Sequence, residues 1–84
     1  MLKGKNTDLW CGDKQFHVQT EDWGRENPYI VTRIFCAGRV IYTVKTDYNS
    51  WVAKNIPQLN EKLEKALGMQ HDDTIAEVRS GKWL

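Results

Sequence analysis

The chain has 84 residues, 12 of them basic and 11 acidic, for a formal net charge of +1. That length admits one domain, and the balanced charge argues against a surface built for bulk attraction to nucleic acid or acidic membranes. Two cysteines do not make a secreted disulfide framework, and no apolar run is long enough to span a membrane. Residues 1–10 lack the apolar segment of a secretion signal, so a cytoplasmic location is expected. Four Trp, three Tyr and two Phe allow so short a chain a core, since each buries roughly 150–250 Å². They also leave one or two aromatics to face a partner.

Residues 1–8 are polar and read as a flexible leader. Leu9-Trp10-Cys11 is a short apolar run stopped by Gly12-Asp13, either an edge strand or an ordered arm. Residues 15–20 alternate. Phe16, Val18 and Thr20 point one way and Gln15, His17 and Gln19 the other, which predicts a strand with one wet face. Gly24, Asn27 and Pro28 make residues 21–28 a loop. Residues 29–36 and 39–46 are β-branched and aromatic and flank Ala37-Gly38, which predicts a hairpin. Two registers fit it. A two-residue loop sets Phe35 opposite Val40 and Ile34 opposite Ile41; a three-residue loop closed by Gly38 sets Ile34 opposite Val40 and Thr32 opposite Tyr42. Alanine is poor at positive φ, which favours the second.

Ser50 is placed to cap a first helical turn at Trp51-Val52-Ala53. Asn55 then reads as the N-cap of a longer helix, with Pro57 in its first turn and Gln58 reaching back. Ile56, Leu59, Leu63, Ala66 and Leu67 form a stripe at helical spacing, continued by Gln70, Thr74 and Val78 with His71 on its border. The stripe keeps its phase across Gly68, so one continuous helix is expected rather than two with Asp72 or Asp73 capping the second. Gly81 ends it in the left-handed conformation, with Trp83 folding back. The predicted fold is α+β: an antiparallel β-meander of three strands, or four if Leu9-Trp10-Cys11 joins it, with one long C-terminal helix across one face. Residues 1–84 form a single domain, with the meander over 9–46 and the helical region over 51–80.

No reaction is written in the motifs. Cys11, His17, Cys36 and His71 lack the spacing of a metal site. Cys36 sits at a hairpin end without a helix N-terminus to activate it. Glu21-Asp22 and Glu26 read as a solvated loop, and Asp72-Asp73 as a solvated or capping pair. There is no Gly-rich loop between a strand and a helix to cradle phosphate. Neither cofactor nor metal is therefore expected. With a three-residue loop, one sheet face carries Arg33, Phe35, Arg39, Ile41 and Lys45. One helix covers only one face of a sheet, so this is the candidate interaction face, suited to a protein partner or, through interleaved basic and aromatic groups, to a single strand of nucleic acid.

The string Phe16-His17-Val18-Gln19-Thr20-Glu21 resembles the first strand of a group of small bacterial proteins of unknown function. They continue with a strand of the type Ile30-Val31-Thr32-Arg33-Ile34-Phe35, a turn at Gly38, and then Tyr48, Gln70-His71 and Gly81. The resemblance covers about residues 15–83; it implies the fold above and no activity. Residues 1–14 and the connection over 47–57 depart from it. His17, Gln19, Gln70 and His71 form a candidate polar network, the helix bringing a polar group within reach of Gln19 or Thr32. Together these readings predict a non-catalytic interaction domain, a homodimer through the open sheet face or a binder of another protein. The runner-up is a small nucleic-acid-binding protein using the same face, and no membrane partner is expected.

Overall fold

The computed structural model describes residues 2–84. Its elements are β1 (Lys5–Cys11), β2 (Lys14–Asp22), β3 (Tyr29–Cys36), β4 (Arg39–Asp47), α1 (Asn49–Ala53) and α2 (Leu59–Arg79). The strands form one antiparallel sheet in the order β1-β2-β3-β4, and α2 packs against one face of it. This is the α+β meander with a C-terminal helix that the patterning predicts, in its four-stranded form.

The alternation in β2 becomes a buried row of Phe16, Val18, Thr20 and Asp22 facing α2. The supposed flexible leader is, from Lys5 on, the first strand: Lys5 pairs with Thr20 and Cys11 with Lys14. Its first residue, Met1, lies outside the described residues. The strand shows no apolar alternation because it is an edge where only Leu9 is buried and where the helix-facing Thr7 meets a polar side chain. Gly4 brings the chain in closely, since a Cβ there would lie 2.6 Å from the Thr20 carbonyl oxygen.

The β3–β4 turn has two residues, with Ala37 at φ 52° and Gly38 at φ 76°. The expected three-residue loop is therefore wrong. A turn left-handed at both central positions matches the strand twist, and the fold holds alanine there against a penalty of about 1–2 kcal/mol. At the tip Phe35 faces Val40. A β-bulge then shifts the register, so that Ile34 faces Tyr42, Thr32 faces Val44 and Ile30 faces Thr46. Without the bulge, period two would turn Ile41, Thr43 and Lys45 towards the helix. With it, Tyr42 and Val44 take that side and Lys45 goes to the open face.

The start of α2 also differs from the expected Asn55 cap. Leu59 is its first residue, and Gln58 precedes it in the left-handed region at φ 57° with no side-chain cap bond. The cause is Pro57: a cap at Asn55 would make Ile56 helical, and a residue before proline is pushed out of that conformation. From Leu59 the helix runs unbroken through Gly68 to Arg79, and Gly81 follows at φ 86°. Trp83 then folds onto Tyr42, ring centroids 5.1 Å apart.

Two apolar clusters make the core. Phe16, Val18, Leu9 and Ile34 pack with Val78 near the end of the helix. Leu59, Leu63 and Leu67 pack with Ile30 and Tyr48 near its start. The leucine stripe is buried on Ile30, in the core face of the hairpin, and on Tyr48, while Phe16 and Val18 pack with Val78 near the other end of the helix, because α2 runs antiparallel to β2. No helix among the described residues is long and apolar enough to cross a membrane.

Candidate functional site

Between the two clusters lies a chain of polar side chains. The helix supplies Gln70 and His71, and each strand supplies one threonine: Thr7, Thr20, Thr32 and Thr46. Thr46 Oγ1 donates to Gln70 Oε1 at 2.5 Å. Gln70 Nε2 donates to Thr32 Oγ1 at 3.0 Å and to the Ile30 carbonyl at 3.2 Å. The Thr32 and Thr20 hydroxyls are 2.8 Å apart, Thr20 Oγ1 is 2.7 Å from His71 Nδ1, and His71 Nε2 is 2.8 Å from Thr7 Oγ1.

One set of proton positions lets every link both give and receive. Gln70 donates into Thr32, so Thr32 donates to Thr20 and Thr20 to His71 Nδ1. The His71 proton then sits on Nε2 and goes to Thr7. Protonating Nδ1 as well would reverse Thr20 and strand the Thr32 hydroxyl proton. His71 is 2% exposed, and burial holds its pKa below the ordinary histidine value; Asp72 pulls the other way, and Lys5 and His17 add to the lowering. The sequence put His71 on the border of the stripe, and it lies at the centre of the packed face. Thr7 and Thr46 were not foreseen, since neither shows polar pairing until the helix is laid over the strands.

His17 and Gln19 do not join Gln70 and His71. Period two turns them to the opposite face of the sheet, where His17 Nδ1 donates to Asp8 Oδ1 at 2.7 Å and Gln19 donates to Glu21. The expected four-residue network is two separate groups, and of the proposed partners on the sheet Thr32 is reached and Gln19 is not.

Asp22, read as part of a solvated loop, is buried at 5% exposure. It accepts from the Tyr48 hydroxyl at 2.6 Å and from the amides of Gly24 at 2.9 Å and Leu2 at 3.2 Å. Burial alone would raise its pKa, but these donors outweigh that and hold the carboxyl below its usual value. Burial, and then the Asp22 carboxylate, push the Tyr48 hydroxyl well above the ordinary tyrosine range. The pair ties the end of β2 to the entry into α1.

The face away from α2 has two halves. At the loop end, Trp23 meets Tyr29 edge-on with centroids 6.2 Å apart. Lys45 Nζ lies 4.7 Å from each ring centroid, and the Arg33 guanidinium lies 5.7 Å from that of Trp23. These side chains roof Val31, which is 2% exposed. The hairpin-tip end is open. Trp10 is 66% and Val40 49% exposed, with Phe35 and His17 in tilted contact beside them. A shallow groove of about 800 Å³ runs here between the two tight turns, lined by Trp10, His17, Phe35 and Gly38 among others.

Of the five residues expected on this face, Arg33, Phe35 and Lys45 are there. Arg39 is not: it pairs with Cys36, which pairs in turn with the helix-facing Phe16. Ile41 is the extra residue of the bulge, 40% exposed. Val40 and Trp10 complete the apolar patch. Val40 was missed because its side depends on the register, Trp10 because an edge strand of mixed polarity gives no alternation. The charge on this face is mixed: β1 and β2 present Asp8 and Glu21, β3 presents Arg33, and β4 presents Lys45 and Asp47. Cys11 and Cys36 are unbridged and pack beside the core.

Compared with family models, with curated proteins and with solved structures, the chain matches none.

Proposed function

We propose that the domain is a non-catalytic interaction module that self-associates through its open sheet face. The observation that carries this reading is the patch at the hairpin tips, where Trp10 and Val40 stand in solvent beside the Phe35–His17 pair. Neither tryptophan suited to cover it does so: Trp10 stays exposed at the edge, and Trp83 is spent on Tyr42 on the helix side. An apolar patch rimmed by mixed charge is the usual signature of a protein contact. Acidic Asp8 and Glu21 beside Arg33 and Lys45 disfavour the phosphate-driven reading, which needs one sign of charge. A cytoplasmic setting, where thiols stay reduced, fits the two unbridged cysteines.

Sedimentation equilibrium over a hundredfold concentration range tests the proposal. The expected result is a monomer–dimer equilibrium at micromolar concentration. A constant monomer mass overturns it, and tight, steeply salt-dependent binding of oligothymidylate would transfer the face to nucleic acid.

A further inference from the structure

We infer that the cleft between β4 and α2, on the side opposite the open face, docks a short amphipathic helix from another protein, apolar along one side and basic at one end. The spacing of the layers argues for a helix. α2 rests on β2 and, evenly and more lightly, on β1 and β3, so its axis lies over β2. Two strand spacings, roughly 9.6 Å, separate β2 from β4. Packed helices lie about 8–10 Å apart. A second helix laid against α2 therefore comes directly over β4, the part of the sheet that α2 leaves uncovered. A strand added outside β4 would stand one spacing farther from α2 and leave the cleft unfilled.

The lining sets the chemistry of the partner. Tyr42, Val44 and Thr46 of β4 form one wall, and Ala66 and Met69 of α2 the other. Met69 is 59% exposed, a flexible apolar side chain of the kind that moulds itself to a docked helix. Towards the hairpin tips the lining turns acidic, with Asp73 and Glu77 and no basic residue. Lys82 reaches Glu77 at 3.8 Å, while Asp73 has no ion pair among the described residues. Lys62, one turn before Ala66, stands at the far end of the same flank, so the groove is acidic at one end only. The Thr46–Gln70 bond closes the cleft at one end, and Trp83 on Tyr42 closes it at the other. From Tyr42 to Thr46 the strand runs about 13 Å, the length of roughly nine helical residues. A second copy does not supply this helix. α1 has five residues, and the solvent side of α2 carries the exposed Glu61, Lys65 and Asp72, charges that an apolar cleft would leave unpaired. The docked helix belongs to a different chain, and its docking leaves the open sheet face free.

The test follows the Met69 methyl group by nuclear magnetic resonance in the full chain, labelled at its two methionines. Met69→Leu assigns the signal. The probe is a side-chain-stapled helix of about twelve residues, with leucines along one side and lysines beside them at one end. A second peptide carries glutamate in place of each lysine. The expected result is a saturable shift of the Met69 signal with the lysine peptide and roughly tenfold weaker binding of the glutamate peptide. Asp73→Lys should reverse that preference. Asp73 is exposed, so this variant keeps the fold. An unmoved Met69 signal at about 1 mM lysine peptide overturns the proposal. Equal binding of the two peptides overturns it too, as does a preference that Asp73→Lys leaves unchanged. Shifts confined to Trp10, Phe35 and Val40 would put the peptide on the open face and overturn it as well.

Discussion

Thr20 holds the middle of the polar chain, accepting from Thr32 and donating to His71. Thr20→Val keeps the volume and removes both bonds, leaving the Thr32 proton and His71 Nδ1 buried without partners. The expected loss is about 1–3 kcal/mol, measured by urea unfolding. His71 itself makes stability depend on pH. In the unfolded chain it titrates near 6.5; in the fold, burial lowers that value, so between the two the unfolded state binds the extra proton. Stability is full above about pH 6.5 and falls as the pH drops towards the folded-state value. Asp22 acts in the same direction in a lower window, losing its contribution as the pH falls below about 4. Urea midpoints from pH 7.5 to 5 should decline, and His71→Gln should flatten the decline. Part of this was legible in the residues: Gln70 and Thr32 were named as possible partners. The rest was not, because Thr7, Thr20 and Thr46 become one chain only when strands far apart in sequence lie side by side.

Leu63 sits mid-stripe on α2, 2% exposed, against Ile30 and Tyr48. Leu63→Ala should cost about 2–5 kcal/mol in urea unfolding, as for a buried leucine that leaves a cavity. The elements that read clearly in the sequence are those whose period and burial agree: β2, with its alternating apolar row, the body of α2, and the stop at Gly81. Those misread are settled by forces the pattern does not carry. Residues 5–8 form a strand because β2 offers an edge to pair with, not because their own side chains favour one. Gln58 rather than Asn55 begins α2 because Pro57 forbids a helical Ile56. The hairpin register was undecidable from sequence, since the twist preference holds Ala37 left-handed and a bulge then restores the side chains to their proper faces.

For the molecule as a whole, the tip patch separates folding from association. Val40 is half-exposed and belongs to neither core cluster, so Val40→Glu should change folding stability by less than about 0.5 kcal/mol. In the proposed dimer the same substitution puts a carboxylate into the contact in place of an apolar side chain. Sedimentation should therefore show a monomer, at concentrations where the unmodified chain is dimeric, while urea unfolding stays the same.

The position of α2 has a further consequence for how the domain comes apart. Its packing falls on β2, and more lightly on β1 and β3, so the helix-facing side of β4 is left as the wall of a cleft of about 400 Å³ with Met69 and Val44. Strand β4 is then fastened by its ladder to β3 and by a few side chains such as Tyr42 on Trp83 and Thr46 on Gln70. Local opening follows the weakest attachment. Under native conditions, and at concentrations that keep the protein monomeric, the amides that β4 and β3 exchange should take up deuterium sooner than those between β2 and β3. Each such opening bares the far edge of β3, the ready-made template on which a strand from another chain can add.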